Sequence, residues 1–155
     1  MKKIYLTLVA LLVSAISLMA QDSPRRTFAD LSKIKGITST YISGDMMKYT
    51  MSGVTNNFTV NGAKFNIKEI KNGGLEVFAA ESAEGVRNLR DGFNRILKET
   101  GINLTVLVEV NEDNSHVRIL SPEAIADGVI HDLIIESSEG NNQYTLVYLY
   151  GEIRL

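Results

Sequence analysis

Ile96-Leu97-Lys98-Glu99-Thr100-Gly101-Ile102-Asn103-Leu104-Thr105-Val106-Leu107-Val108-Glu109-Val110 changes its hydrophobic period at Gly101. Upstream, Val86, Leu89, Phe93, Ile96 and Leu97 fall on one helical stripe, with Arg87, Arg90, Asp91, Lys98 and Glu99 on the other side. Ser82 can cap the start of this helix, Glu84 complements the positive end of its dipole, and Gly101 supplies the left-handed exit. Downstream, Ile102, Leu104, Val106, Val108 and Val110 alternate with Asn103, Thr105, Leu107 and Glu109, the period of a half-buried strand. The spacing thus predicts a helix over 82–100 followed by strands.

Towards the C-terminus, Asn111 to Ser115 reads as a tight turn and Val117 to Ile119 as a partner strand, which Ser121-Pro122 breaks. Val129 to Glu136 reads as a third strand, Ser137 to Asn142 as a second turn and Gln143 to Leu155 as the last strand. Towards the N-terminus, Leu75 to Ala80 reads as a strand. Lys64 to Lys71 fits neither period, and Asn72-Gly73-Gly74 would suit either a hairpin turn or a helix stop. Ser52 to Asn61 reads as a loop. Ser43-Gly44-Asp45 offers capping chemistry for a short helix at Met46 to Tyr49, and Gly36 to Ser43 suits a strand. Phe28, Leu31 and Ile34 suggest a helix over Arg26 to Lys35, capped by Gly36. The expected fold class is α+β: a two-layer domain over 27–155, an antiparallel β-sheet meander packed against amphipathic helices.

Residues 1–20 carry the three-part pattern of a cleaved secretory signal peptide: Lys2-Lys3, an uncharged apolar run from Ile4, and a small residue at Ala20. A polar lead, 21–26, follows. The expected compartment is the periplasm or cell envelope, with no transmembrane anchor after cleavage. Losing Lys2 and Lys3 leaves 14 basic against 18 acidic residues, a formal charge of −4. That balance argues against nucleic acid as a partner. The chain has no cysteine, which excludes disulfides, thiolate metal sites and a cysteine nucleophile.

Chemistry-bearing motifs are sparse. His116 and His131 are both expected on strands, with Glu109 and Asp132 near them in the pattern, and a metal site would need several such groups to converge. Ser115 and His116 are neighbours on a strand and so point to opposite faces. Glu112-Asp113 and Glu81 with Glu84 suit a turn and a helix start for structural reasons. Gly73-Gly74 lacks the spacing of a phosphate loop. No catalytic residue, metal or cofactor is assigned. In the last strand, Tyr144, Leu146, Tyr148 and Tyr150 share one face, and Thr145, Val147, Leu149, Gly151, Ile153 and Leu155 the other. Two readings stand: a central strand covered on both sides, or an exposed row of Tyr144, Tyr148 and Tyr150 that binds a partner.

Ile37-Thr38-Ser39-Thr40-Tyr41-Ile42-Ser43-Gly44-Asp45-Met46, then Leu107-Val108-Glu109-Val110-Asn111, His116-Val117-Arg118-Ile119-Leu120, Leu133-Ile134-Ile135 and Tyr148-Leu149-Tyr150-Gly151-Glu152-Ile153-Arg154-Leu155 follow one another in a recognisable order. Together they resemble the exported Bacteroidetes proteins of the domain of unknown function 4252 family. The resemblance implies an envelope location and favours a helix over Lys64 to Lys71. Members of that family often sit near genes for extracytoplasmic-function sigma factors, which implies a link to envelope stress signalling. The family supplies no catalytic residues. The expected function is therefore a non-catalytic periplasmic binding or regulatory module with an envelope protein as partner. The alternatives are a hydrolase-like enzyme with a cleft of scattered acids and histidines, and a self-assembling structural protein.

Overall fold

A computed structural model describes residues 26–46, 57–60, 63–66, 69–122 and 128–154. Residues 1–20, where a signal peptide is expected, nearly all of the polar lead, and residues 47–56 lie outside the described residues. Among the described residues there are nine strands and one long helix: β1 (Thr38–Ser43), β2 (Asn57–Val60), β3 (Ala63–Asn66), β4 (Glu69–Ala80), α1 (Ala83–Thr100), β5 (Thr105–Glu112), β6 (Ser115–Ser121), β7 (Val129–Ile130), β8 (Leu133–Glu139) and β9 (Gln143–Arg154). The main sheet is antiparallel in the order β1-β4-β9-β8-β6-β5, with β7 paired to the far end of β9; β2 and β3 form a separate hairpin. The α+β class is as expected, with fewer helices than the sequence suggested.

The long helix follows its local chemistry. Ser82 sits in extended backbone and its side chain accepts from the Gly85 N–H at 3.1 Å. Val86, Leu89, Phe93 and Ile96 are buried against the sheet, and Gly101 takes the left-handed exit at φ 70°. The N-terminal helix is shorter than expected, a 3-10 turn over Ala29–Lys33. Its apolar residues Phe28, Leu31 and Ile34 recur every three residues, the 3-10 repeat, in which i and i+3 eclipse. Ser43 does act as a cap: its Oγ accepts from the Met46 N–H at 3.3 Å.

The helix expected over 64–71 is not present. Its described residues lie in β3 and β4, and Asn57–Val60, expected as loop, is the partner strand β2. Asn72-Gly73-Gly74 makes neither a turn nor a helix stop. It is a bulge inside the twelve-residue strand β4, where pairing with β9 shifts between Lys71 and Gly74. Asn72 adopts φ 52° there, and Gly151 opposite adopts φ 107°. The third strand of the meander is divided at His131-Asp132 into β7 and β8, and β8 runs on to Glu139.

β9 lies between β4 and β8, so both its edges are paired, and side chains on both its faces are buried. One face carries Tyr144, Leu146, Tyr148 and Tyr150 into a core with Phe28, Leu31, Phe78, Val86, Leu89 and Phe93. The other carries Val147, Leu149 and Ile153 into a second cluster with Leu75, Ile119, Leu133 and Ile135. β5, by contrast, is an edge strand. It is largely exposed, with Val106, Val108 and Val110 at 46%, 44% and 37%. A bulge between Val106 and Val108 breaks its alternation, so the expected single apolar face does not form.

Candidate functional site

The row of tyrosines is not a surface. Tyr144, Tyr148 and Tyr150 are each at most 4% exposed. The physical reason is their position on a central strand, whose aromatic face the 3-10 helix and α1 cover. Phe28 meets Tyr148 edge-on at 4.8 Å between ring centroids, and Tyr148 leans against Tyr150 at 5.5 Å. Their hydroxyls make polar contacts within the fold. The Tyr144 hydroxyl donates to Glu136 Oε1 at 2.5 Å, the Tyr148 hydroxyl bonds Thr27 and Asp132, and the Tyr150 hydroxyl donates to that of Tyr41 at 3.1 Å.

Burial pushes all three phenols well above the usual tyrosine range, with the Glu136 charge adding to Tyr144, the Asp132 charge to Tyr148 and the Tyr41 hydrogen bond to Tyr150. A raised folded-state value means that the stabilising contribution is complete below the unfolded phenol's value, about 10, and is lost as pH climbs through the folded one. An alkaline titration at 295 nm should therefore show these phenols ionising late, together with loss of the circular dichroism signal. Reversible ionisation of every tyrosine near pH 10 with the fold intact would contradict it.

Beside Tyr144, the helix face of the sheet opens into a polar cleft of about 300 Å³. α1 supplies Arg90, Phe93 and Asn94; β6 supplies His116 and Arg118; β8 supplies Glu136 and Ser138; β9 supplies Tyr144. Alternation places these side chains together: His116 and Arg118 are two residues apart on β6 and stand opposite Ser138 and Glu136 on β8. Glu136 is buried and fully engaged, by Arg118 on Oε2 and by Tyr144 on Oε1. His116 Nε2 lies 2.9 Å from Glu109 Oε1 on β5. The Arg90 guanidinium lies 4.8 Å over the Tyr144 ring.

A second pocket, of about 460 Å³, lies at the β4–β9 bulge, lined among others by Lys71, Asn72, His131, Asp132 and Tyr150. The two histidines thus belong to different pockets, and among the described residues no cluster of three metal-ligating side chains forms. Nearby, Arg26 donates to the buried Glu76 Oε1 through Nε at 2.6 Å and stacks on Tyr41 at 4.0 Å. Glu112 and Asp113 end β5 and enter its turn, while Glu81 and Glu84 flank the Ser82 cap, as structural roles require.

Sequence reasoning missed Arg90, Asn94, Arg118, Glu136 and Ser138. The alternation of Arg118 with Val117 and Ile119, and of Glu136 with Ile135, was the available signal: a charge on each of two interior strands.

A family model described as "Domain of unknown function (DUF4252)" matches residues 31–155. The chain belongs to the DUF4252 family. The match covers α1 and all the sheet strands, hence every residue lining the Arg90 cleft. Searches of curated proteins and of solved structures gave no match. Among the described residues of this DUF4252 chain, no helix is long and apolar enough to cross a membrane.

Proposed function

We propose that this protein is a non-catalytic binding or regulatory module of the cell envelope, exported to the periplasm, that engages an envelope partner through the cleft between α1 and β6-β8-β9. The observation that carries the reading is the state of the cleft's charges. Glu136 has a partner on each oxygen, Arg118 and Tyr144, whereas Arg90 bonds no carboxylate among the described residues. A cleft whose framework is internally satisfied, with one cation left over, is arranged to hold a group rather than to move protons. The signal-peptide pattern of residues 1–20 supports the location, and the family resemblance supports the link to envelope signalling.

The test is affinity capture from envelope fractions, comparing the wild type with Arg90→Glu and with Arg87→Glu, the same charge change on the same helix outside the cleft. Capture should be lost only with Arg90→Glu. Equal capture by a folded Arg90→Glu protein would remove the cleft from the proposal.

One arrangement favours a second reading, a hydrolase. Ser138 stands directly opposite His116 in the β6–β8 register, and Glu109 orients that histidine. Among the described residues, however, no hydrogen bond joins Ser138 to His116. Ester hydrolysis abolished by Ser138→Ala would carry this reading and overturn the non-catalytic one.

A further inference from the structure

We infer that the ligand group recognised by this cleft is a carboxylate, with Arg90 as the cation that selects it; the inference rests on the binding-module reading above. What the cleft has left to offer is mostly donors. Glu136, the one carboxylate among the described residues that line it, has each oxygen already accepting a bond, and Glu109 on the neighbouring strand is engaged by His116. Arg90 retains its five N–H groups, and Asn94, one turn further along α1, presents an amide on the same helix face. A ligand that satisfies these groups must bring acceptors and negative charge.

Geometry narrows the class. The exposed Arg90 guanidinium lies 4.8 Å over the Tyr144 ring, a cation–π contact that favours its placement at the mouth of the cleft. A planar fork matches a carboxylate through two parallel N–H···O bonds. A phosphate dianion suits the cleft less well. Arg118, the second cation, is already paired with Glu136, so Arg90 alone is left to balance an incoming charge, and it balances one negative charge rather than two. The rings of Phe93 and Tyr144 give the cleft an apolar wall for the carbon chain carrying the carboxylate. About 300 Å³ is at the small end for a ligand pocket and suits a short chain. The carboxylate is that of a free small acid or of an acidic residue in a polypeptide.

The experiment is an NMR titration of the exported ¹⁵N-labelled protein with propionate, propionamide, methyl phosphate, and capped tripeptides carrying a central Glu or Gln. Propionate or the Glu peptide should shift the amide signals of Arg90, Asn94, Ser138 and Tyr144. The matching amide compounds should bind about tenfold more weakly or less, the scale set by a charge-assisted hydrogen bond. Arg90→Gln should remove that preference while leaving the sheet's spectrum unchanged. A Glu peptide binding more tightly than propionate identifies a polypeptide source; the reverse identifies a free acid. Equal binding of acid and amide, tighter binding of methyl phosphate, or unchanged affinity in Arg90→Gln would overturn the assignment. If Arg90→Glu abolishes envelope capture while neither acid binds, the carboxylate assignment fails and the binding module stands. If both acids bind at Arg90 but capture ignores it, the reverse holds.

Discussion

Gly73→Ala should leave little or no folded protein. A Cβ at that position would lie 1.7 Å from the carbonyl oxygen of Tyr150 and 2.9 Å from the Gly151 Cα. Both obstacles are backbone of the central strand, so no side chain can turn aside to make room. Gly151 cannot yield either: it holds φ 107°, and its own Cβ position is 2.6 Å from the Lys71 carbonyl oxygen. Relief would require separating β4 from β9 at the bulge, where Asn72 and Gly73 of β4 stand against Gly151 alone. The expected loss is about 4 kcal/mol or more, which is exceptional for one methyl group and a large share of the roughly 5–15 kcal/mol that holds an ordinary domain folded. Urea denaturation would measure it. Gly101→Asn is the control, since nothing stands within 4 Å of a Cβ there and asparagine tolerates the left-handed conformation. A Gly73→Ala protein as stable as this control would show that the two strands do not cross so closely.

Phe28→Ala should cost about 3–5 kcal/mol, the range for removing a buried aromatic ring. Phe28 is 1% exposed, and its ring sits 5.2 Å from that of Phe93 and 4.8 Å from that of Tyr148. It therefore joins the N-terminal segment, α1 and β9 in one contact. The ring's loss leaves a cavity over Tyr148 that rigid strands cannot close. A consequence beyond stability follows. With Phe28 gone, the Tyr148 phenol becomes more accessible, so its ionisation should move back towards the ordinary tyrosine range. A destabilisation below about 1 kcal/mol, too small for a filled core site, with unchanged alkaline titration, would contradict the role given to Phe28.

How far the amino-acid sequence could be read depended on the range of the forces involved. The helix over Ala83–Thr100 was legible because its signals are local: the Ser82 cap, the stripe from Val86 to Ile96 and the exit at Gly101 all act within a few residues. The meander from β5 to β9 was legible for the same reason, since short polar turns join alternating strands. The 3-10 helix was only half legible. The three-residue spacing of Phe28, Leu31 and Ile34 shows a helical turn, but does not by itself separate a 3-10 from an α-helical repeat.

The site was far less legible. His116 and the Tyr144 hydroxyl could be named as polar groups on strands. Their meeting with Arg90 of α1 and Glu136 of β8 depends on which strand lies beside which, and sheet order is a property of non-local pairing. The N-terminal half of the sheet behaved likewise. Local chemistry suits Asn72-Gly73-Gly74 to a turn or a helix stop, but pairing along β9 continues the strand through it, because Gly151 opposite lets the backbones approach.

Taken by itself, the sequence determined the α+β class, the position and both caps of α1, the strands of the C-terminal meander and the apolar character of both faces of β9. Those follow from propensity, capping and periodicity, which act between near neighbours. Tertiary structure alone decided that β9 is central and β5 an edge, that the tyrosines are core, and that Arg90 is left facing a cleft whose acids are already engaged. Each of these depends on which distant segments share a face, and that is settled only when the sheet closes its hydrogen bonds and buries its apolar sides together.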